Sequence, residues 1–262
     1  MCTVTIRCGG GSLLLTMNRD ERWGRAPEAP PRLVPGGPDR PAWAAPFDGV
    51  TGGTWIGVND RGVAACVLNG YTAADLPLRD RAGVPSRGSI IPRILEDQDG
   101  TRPARLRGAL DFSAYASFTL VLASVEGGEI VRWRHGDGMT REEIATGWTF
   151  LTSSSWSEPE VAAWRRRAFD AWRAAGEPAS HGLPLFQVAT VDGDEAKAPF
   201  MTRDTSATRS VTQVRVETDR RTASLSWWPR PGRGPISPAR PGAALDLDLV
   251  AANGGLTRLA SR

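Results

Sequence analysis

Small second residues permit removal of the initiator methionine, and here that removal would leave Cys2 carrying both a thiol and a free α-amine. An α-amine ordinarily titrates near ~7.7–8.0. It can therefore serve as general base for its own thiol, with no histidine required. That suits a chain whose only histidines, His135 and His181, sit in no recognisable motif. The plainer role for Cys2 is a strand-end cysteine that packs as a small hydrophobe.

The tetrad Asn18-Arg19-Asp20-Glu21 supplies the groups such a thiol needs. The charge of Arg19 would lower a neighbouring thiol's pKa. Asp20 would accept a hydrogen bond from the α-ammonium and fix its orientation, and Asn18 falls on the substrate side. A solvated charged turn accounts for the same four residues more simply. Asn69 offers a side-chain amide for an oxyanion, and Asn69-Gly70 equally suits a turn. In Gly52-Gly53-Thr54-Trp55 the glycines permit close approach of backbone to a ligand, with Trp55 as a wall; a core tryptophan is the alternative.

These residues must be brought together by strands. Residues 2–7 (CTVTIR) alternate and are β-branched; residues 12–17 (SLLLTM) are apolar. With Gly9-Gly10-Gly11 between them they predict a hairpin ending in the tetrad, which sets that tetrad beside Cys2. Residues 24–50, rich in Pro and Gly, predict a long irregular segment. Thr54–Val58 and Val63–Leu68 predict a second hairpin, with Gly62 at a positive φ, and Phe118–Ser124 with Glu129–Arg134 a third. Trp148–Thr152 is a short strand, and Ser210–Glu217 with Thr222–Trp228 a last hairpin. Helical spacing marks Arg87–Gln98, Pro103–Leu110 and Glu158–Ala175, the last with Val161, Trp164, Ala168 and Phe169 or Trp172 on one stripe and Ser157 at its start. Hairpins and separate helices give an α+β layout with mainly antiparallel sheets. Residues 1–262 read as a single domain with a proline-rich surface excursion at 229–242.

Composition removes other classes. Net charge is +3, one basic residue alone is a lysine (Lys197), and the arginines are interspersed with acids, so no nucleic-acid-binding surface is expected. No apolar run approaches a membrane span. The N-terminus lacks a signal-peptide pattern, which places the protein in the cytoplasm by expectation and makes Cys2 the second residue synthesised. Three cysteines without a CxxC pair argue against a disulfide framework and a cysteine zinc site, and no metal set is expected. Nothing specifies an oligomeric state.

Met1-Cys2, the tetrad, Gly52–Gly70 (GGTWIGVNDRGVAACVLNG), Leu151–Trp156 (LTSSSW) and Ala207–Val216 (ATRSVTQVRV) together resemble the NRDE family, also called the transport and Golgi organisation protein 2 (TANGO2) family. The resemblance runs to about Trp228. It implies an N-terminal-nucleophile (Ntn) hydrolase fold, a four-layer αββα sandwich of two mainly antiparallel sheets. More distantly the chain resembles the cysteine branch of that superfamily, which includes choloylglycine hydrolases and penicillin V acylases. That likeness matches Cys2, Arg19, Asp20 and Asn69 to catalytic positions and Arg209 to a late arginine that would meet an anionic substrate or the Cys2 surroundings. A second asparagine of the branch falls near Ser154 or Ser155, so the chain departs from the pattern there; Ser154 is the expected substrate contact.

Two functions follow as expectations. One is an amidohydrolase or acyltransferase acting on a linear amide or thioester through Cys2. The other keeps the fold and binds an amphipathic ligand, with haem or an acyl-lipid as the classes that the family likeness brings in and no resident cofactor. The ten tryptophans would line such a pocket, and Cys2, His135, His181 or a methionine would be the candidates to ligate a haem iron. An interaction protein is a third class. The intact mass of the purified protein is expected to show loss of Met1; retention would remove the α-amine base and with it the enzyme's mechanism.

Overall fold

The computed structural model describes residues 2–78, 83–97, 111–190 and 194–250. Its first two strands, β1 (Cys2–Gly9) and β2 (Ser12–Arg22), pair antiparallel with Cys2 opposite Arg19. The turn between them holds Gly10 and Gly11 at φ of +60° and +72°, which L side chains rarely adopt. The tetrad is not the solvated turn that was its plainer reading but continues β2: Asn18 and Arg19 pair with β1, and all four residues pair with β13 (Ser206–Glu217).

Around that hairpin a six-stranded sheet is built in the order β10-β1-β2-β13-β14-β15, where β10 is Gly147–Ser153, β14 is Thr222–Pro229 and β15 is Ala243–Asp248. A seven-stranded sheet runs in chain order: β3 (Ala29–Val34), β4 (Trp43–Phe47), β5 (Ile56–Asn59), β6 (Ala64–Asn69), β7 (Phe118–Ser124), β8 (Gly127–Arg134) and β9 (Gly138–Ile144). Neighbouring strands of both sheets are antiparallel. The segment read as irregular therefore contains β3 and β4. The edge strands β9 and β15 were also missed, because solvated edges carry charged residues in place of an apolar run. The helix expected at Pro103–Leu110 lies outside the described residues.

The sheets pack face to face. Val4, Ile6, Leu13, Leu15 and Met17 meet Ile56, Val58, Cys66, Leu68 and Val121 in one core. Helix α1 (Ile90–Leu95) covers the outer face of the seven-stranded sheet through Ile90, Ile91, Ile94 and Leu95. Helix α2 (Glu158–Ala174) covers the six-stranded sheet, with Phe169 and Trp172 against Phe150 and Phe186. The layers are thus αββα. The buried stripe of α2 is Val161, Arg165, Phe169 and Trp172, so an arginine takes the place expected for Trp164. Ser157 stands before the helix at φ 42° and makes no side-chain cap; Glu158 and Glu160 in the first turn meet its N-terminal dipole. The proline-rich excursion is pinned by Arg230, which is 4% exposed and donates to the carbonyls of Met201, Arg233 and Gly234.

A cluster of buried charge ties the sheets at one end. Arg19 of β2 donates from Nη2 to Asp48 (2.7 Å) and from Nη1 to Glu28 (3.0 Å). Both acids flank strands of the opposite sheet. Glu28 also accepts Trp227 Nε1 of β14 at 2.9 Å. Asp48 takes two further bonds from Arg25, each 2.8 Å, and the Thr51 N–H and hydroxyl at 2.9 and 3.0 Å. Burial would raise the Asp48 carboxyl, but the hydrogen bonds from Arg25 and Thr51 and the charges of Arg25 and Arg19 outweigh it and hold the group well below the usual carboxylate range. A depressed folded-state pKa contributes stability that is fully present above the unfolded value near ~4 and is lost as pH falls below it. Asp48→Asn should therefore cost about 3 kcal/mol at neutral pH by stranding Arg19 and Arg25, and the variant's unfolding midpoint should fall less steeply than wild type's between about pH 4 and pH 2. Chemical denaturation across pH measures both.

Candidate functional site

Strand alternation decides which face each residue of the tetrad serves. Cys2 and Arg19, paired in register, point into the space between the sheets, with Glu21 two residues on. Asn18 and Asp20 point the other way, toward α2. Asp20 is the next residue of β2 beyond the Cys2–Arg19 pair.

Cys2 is buried and lines a cavity of about 1880 Å³ at the open end of the sandwich. Arg19, Asp20, Trp55 and Asn69 line the same cavity. Four of the five expected catalytic residues, and the expected tryptophan wall, are therefore brought to one concavity. The Arg19 guanidinium stacks over Trp55 at 4.5 Å from the ring centroid. Asn69 ends β6 in the opposite sheet, so it reaches the cavity across the sandwich and not as a sheet neighbour of β1. Its Nδ2 makes a long 3.4 Å bond to the Tyr71 hydroxyl. Gly53 lines the cavity and also packs on Gly88: a Cβ there would lie 2.8 Å from the Gly88 carbonyl carbon, so the two glycines seat one backbone on another.

Burial pushes the Cys2 thiol above its ordinary value, and the Asp20 charge adds to that. The amino-terminal charge, a bond from the Asp20 backbone and the Arg19 charge pull it down. Cys66, on the facing sheet, is pushed up well above its usual value, first by burial and then by Cys2 itself. Burial takes Cys8 to about 11.

Three expected residues lie elsewhere. Asn18 donates from Nδ2 to the carbonyls of Gln187 and Pro199, both at 2.8 Å, and so clamps chain on the outer face of the sheet. Ser154 is bonded to the Trp156 backbone and lines a smaller neighbouring pocket of about 270 Å³, while Ser155 and Trp156 line the main one. Arg209 sits in a β-bulge. Thr208 pairs with Asp20 and Ser210 with Arg19, leaving Arg209 as the extra residue. The bulge turns it to the carbonyls of Arg22 (3.2 Å) and Trp23 (3.1 Å), so that it backs two residues of the cavity lining without lining the cavity itself.

Asp20 is paired with Arg165 of α2, which sequence reasoning missed. Both side chains are 0% exposed, with Nη2 3.3 Å from Asp20 Oδ2. The other Asp20 oxygen accepts the Thr208 hydroxyl at 2.7 Å. Arg165 also donates to the hydroxyls of Thr3 (2.6 Å) and Thr152 (3.1 Å) and to the Lys197 carbonyl (3.0 Å). A signal was available: Arg165 stands midway between Val161 and Phe169 on the apolar stripe, where an arginine must be buried with partners. Glu28, Asp48 and Thr208 carried no such periodic signal. Among the described residues no group of His, Cys, Asp and Glu is arranged to hold a metal ion.

Solved structures share this architecture. Two variants of conjugated bile acid hydrolase from Clostridium perfringens superpose with TM-scores of 0.51 and 0.53 at 11% and 10% identity, each over 97% of this chain and 94% of theirs. The Caenorhabditis elegans ortholog of N-acylethanolamine-hydrolyzing acid amidase gives 0.50 at 10% identity, over 81% of this chain and 92% of its own. At such identities the likeness establishes the fold, that of the Ntn hydrolases, and leaves the substrate open. No curated protein sequence matches significantly. The sequence signature described as Transport and Golgi organisation 2 matches residues 1–222. With the hairpin, the tetrad, both helices and the whole seven-stranded sheet inside that span, the chain belongs to the TANGO2 family.

Proposed function

We propose that the protein is an Ntn-type cysteine amidohydrolase or acyltransferase acting on a linear amide or thioester. The observation that carries this reading is the register that sets Cys2 at the base of a large cavity, opposite Arg19 and one step from Asp20. In the chain without Met1, the α-amine takes the proton of the Cys2 thiol. The thiolate attacks the carbonyl carbon, and the carbonyl π-electrons move to oxygen. Asn69 Nδ2, released from its long bond to Tyr71, donates to that oxyanion together with a backbone N–H. The tetrahedral intermediate collapses, the leaving amine or thiol takes the proton from the α-ammonium, and an acyl-enzyme remains. Water or an acceptor amine then attacks it by the same steps. Asp20, fixed by Arg165 and Thr208, orients the α-amine, and Arg19 stabilises the thiolate. Trp55 forms a wall for the acyl group.

A carrier function on the same cavity is the second reading. The observation that favours it is the burial of Cys2, which raises its thiol where a nucleophile needs it lowered. The ligand would be amphipathic, an acyl-lipid or haem. Of the iron ligands the sequence offers, Cys2 is the one among the described residues that lines the cavity. Among the described residues no helix is long and apolar enough to cross a membrane.

Iodoacetamide at pH 7.5 followed by peptide mapping separates the readings. An activated nucleophile should be alkylated at Cys2 at least about tenfold faster than at Cys8 or Cys66, whose thiols burial holds up. Equal rates would remove the nucleophile. A panel of fluorogenic acyl-amides should be turned over by the wild type and not by Cys2→Ala; turnover surviving in Cys2→Ala would sink the assignment.

A further inference from the structure

The arginines lining the cavity are not equivalent. Arg19 and Arg25 are neutralised by Glu28, Asp48 and Glu21. Arg87, in the single 3₁₀ turn Arg87–Ser89 ahead of α1, lines the same cavity. Its Nη1 donates to the Ser117 carbonyl at 3.0 Å, a neutral acceptor, and among the described residues it forms no ion pair. The nearby acid, Asp75, is already committed: it accepts the Ser117 N–H and hydroxyl, both at 2.8 Å, and the Thr72 N–H at 3.0 Å.

Arg87 is also held in place. The Thr54 N–H donates to the Gly88 carbonyl at 3.0 Å, and Gly53 packs on Gly88 too closely for any side chain. At its other end the guanidinium shares the Ser117 carbonyl with the Gly70 N–H, 2.8 Å away. These contacts hold Arg87 at the cavity wall, and burial lowers its pKa.

We propose that Arg87 binds a carboxylate on the substrate, so that the compound acted on is an acyl amide or thioester bearing a carboxylate. The assignment rests on the reading of Cys2 as the reacting centre. One planar guanidinium with a single uncompensated charge fits a carboxylate monoanion, two N–H donors to two oxygens, better than a phosphate dianion. Trp55, Val67 and Val84 in the same lining give the acyl chain an apolar surface.

Protection of Cys2 from iodoacetamide tests this without turnover. N-lauroylglycine, its neutral isostere N-lauroylglycinamide and lauryl phosphate are titrated against the wild type and Arg87→Gln, with thermal shift measured in parallel. The glycine conjugate should protect Cys2 and raise the melting temperature at a concentration at least about tenfold below that of the amide, and Arg87→Gln should erase that preference. Equal effects of acid and amide, a preference that survives in Arg87→Gln, or no effect of either would overturn the assignment. Stronger binding of lauryl phosphate than of the carboxylate would overturn it as well. Should Arg87→Gln fail to fold, the wild-type comparison and Arg87→Lys, which keeps charge but loses the fork, decide in the same way. If Cys2 alkylates no faster than Cys66, the catalytic reading falls, and the thermal shifts still judge Arg87.

Discussion

The pairing of Cys2 with Arg19 across a two-stranded turn constrains every other part of the site. Side chains alternate along a strand, so a slip of one residue would send Cys2 toward α2 and Asp20 toward the inter-sheet core. The register is held from both sides. Gly10 and Gly11 set the turn at one end, and β10 and β13 continue the pairing on either flank. The apolar residues Val4, Ile6, Leu13, Leu15 and Met17 then have a single arrangement in which all face the core. The position of the thiol is therefore a property of the whole six-stranded sheet.

The same alternation divides the buried charge into two groups. On the inner face, Arg19 joins the two sheets through Glu28 and Asp48 and lies over Trp55. On the outer face, Asp20 joins the sheet to α2 through Arg165. A buried ion pair seldom adds much net stability, because desolvation offsets the attraction. What such pairs do supply is a fixed location for each charge. Two adjacent residues of one strand thus anchor three layers of the sandwich, and the cavity opens where the anchoring ends.

Much of this was legible in the sequence where it depended on local pattern. The hairpin of CTVTIR and SLLLTM, the turn at Gly62 (φ +76°) and the helix over Ile90–Leu95 follow from spacing alone. Cys2, Arg19 and Asp20 could be placed near one another because a hairpin is a local feature, whereas Trp55 and Asn69 join them from the side of the opposite sheet. The rest depended on contacts distant in sequence. Arg165 is 145 residues from Asp20, and Thr208 is 188. Glu28 and Asp48 sit in a stretch whose prolines and glycines hid two strands. Arg209 was assigned from the family likeness alone, and the bulge that turns it to the Arg22 and Trp23 carbonyls leaves no compositional mark.

That bulge makes the site sensitive to chain length as well as to residue identity. Thr208 reaches Asp20 and Ser210 reaches Arg19 only because one residue between them is unpaired. A one-codon deletion at Arg209 would leave every named residue of the cavity in the chain, yet would shift the phase of one flank of β13 against β2. A comparison that counts matching letters would record the loss of one surface arginine. The physical change would be a hydroxyl withdrawn from Asp20.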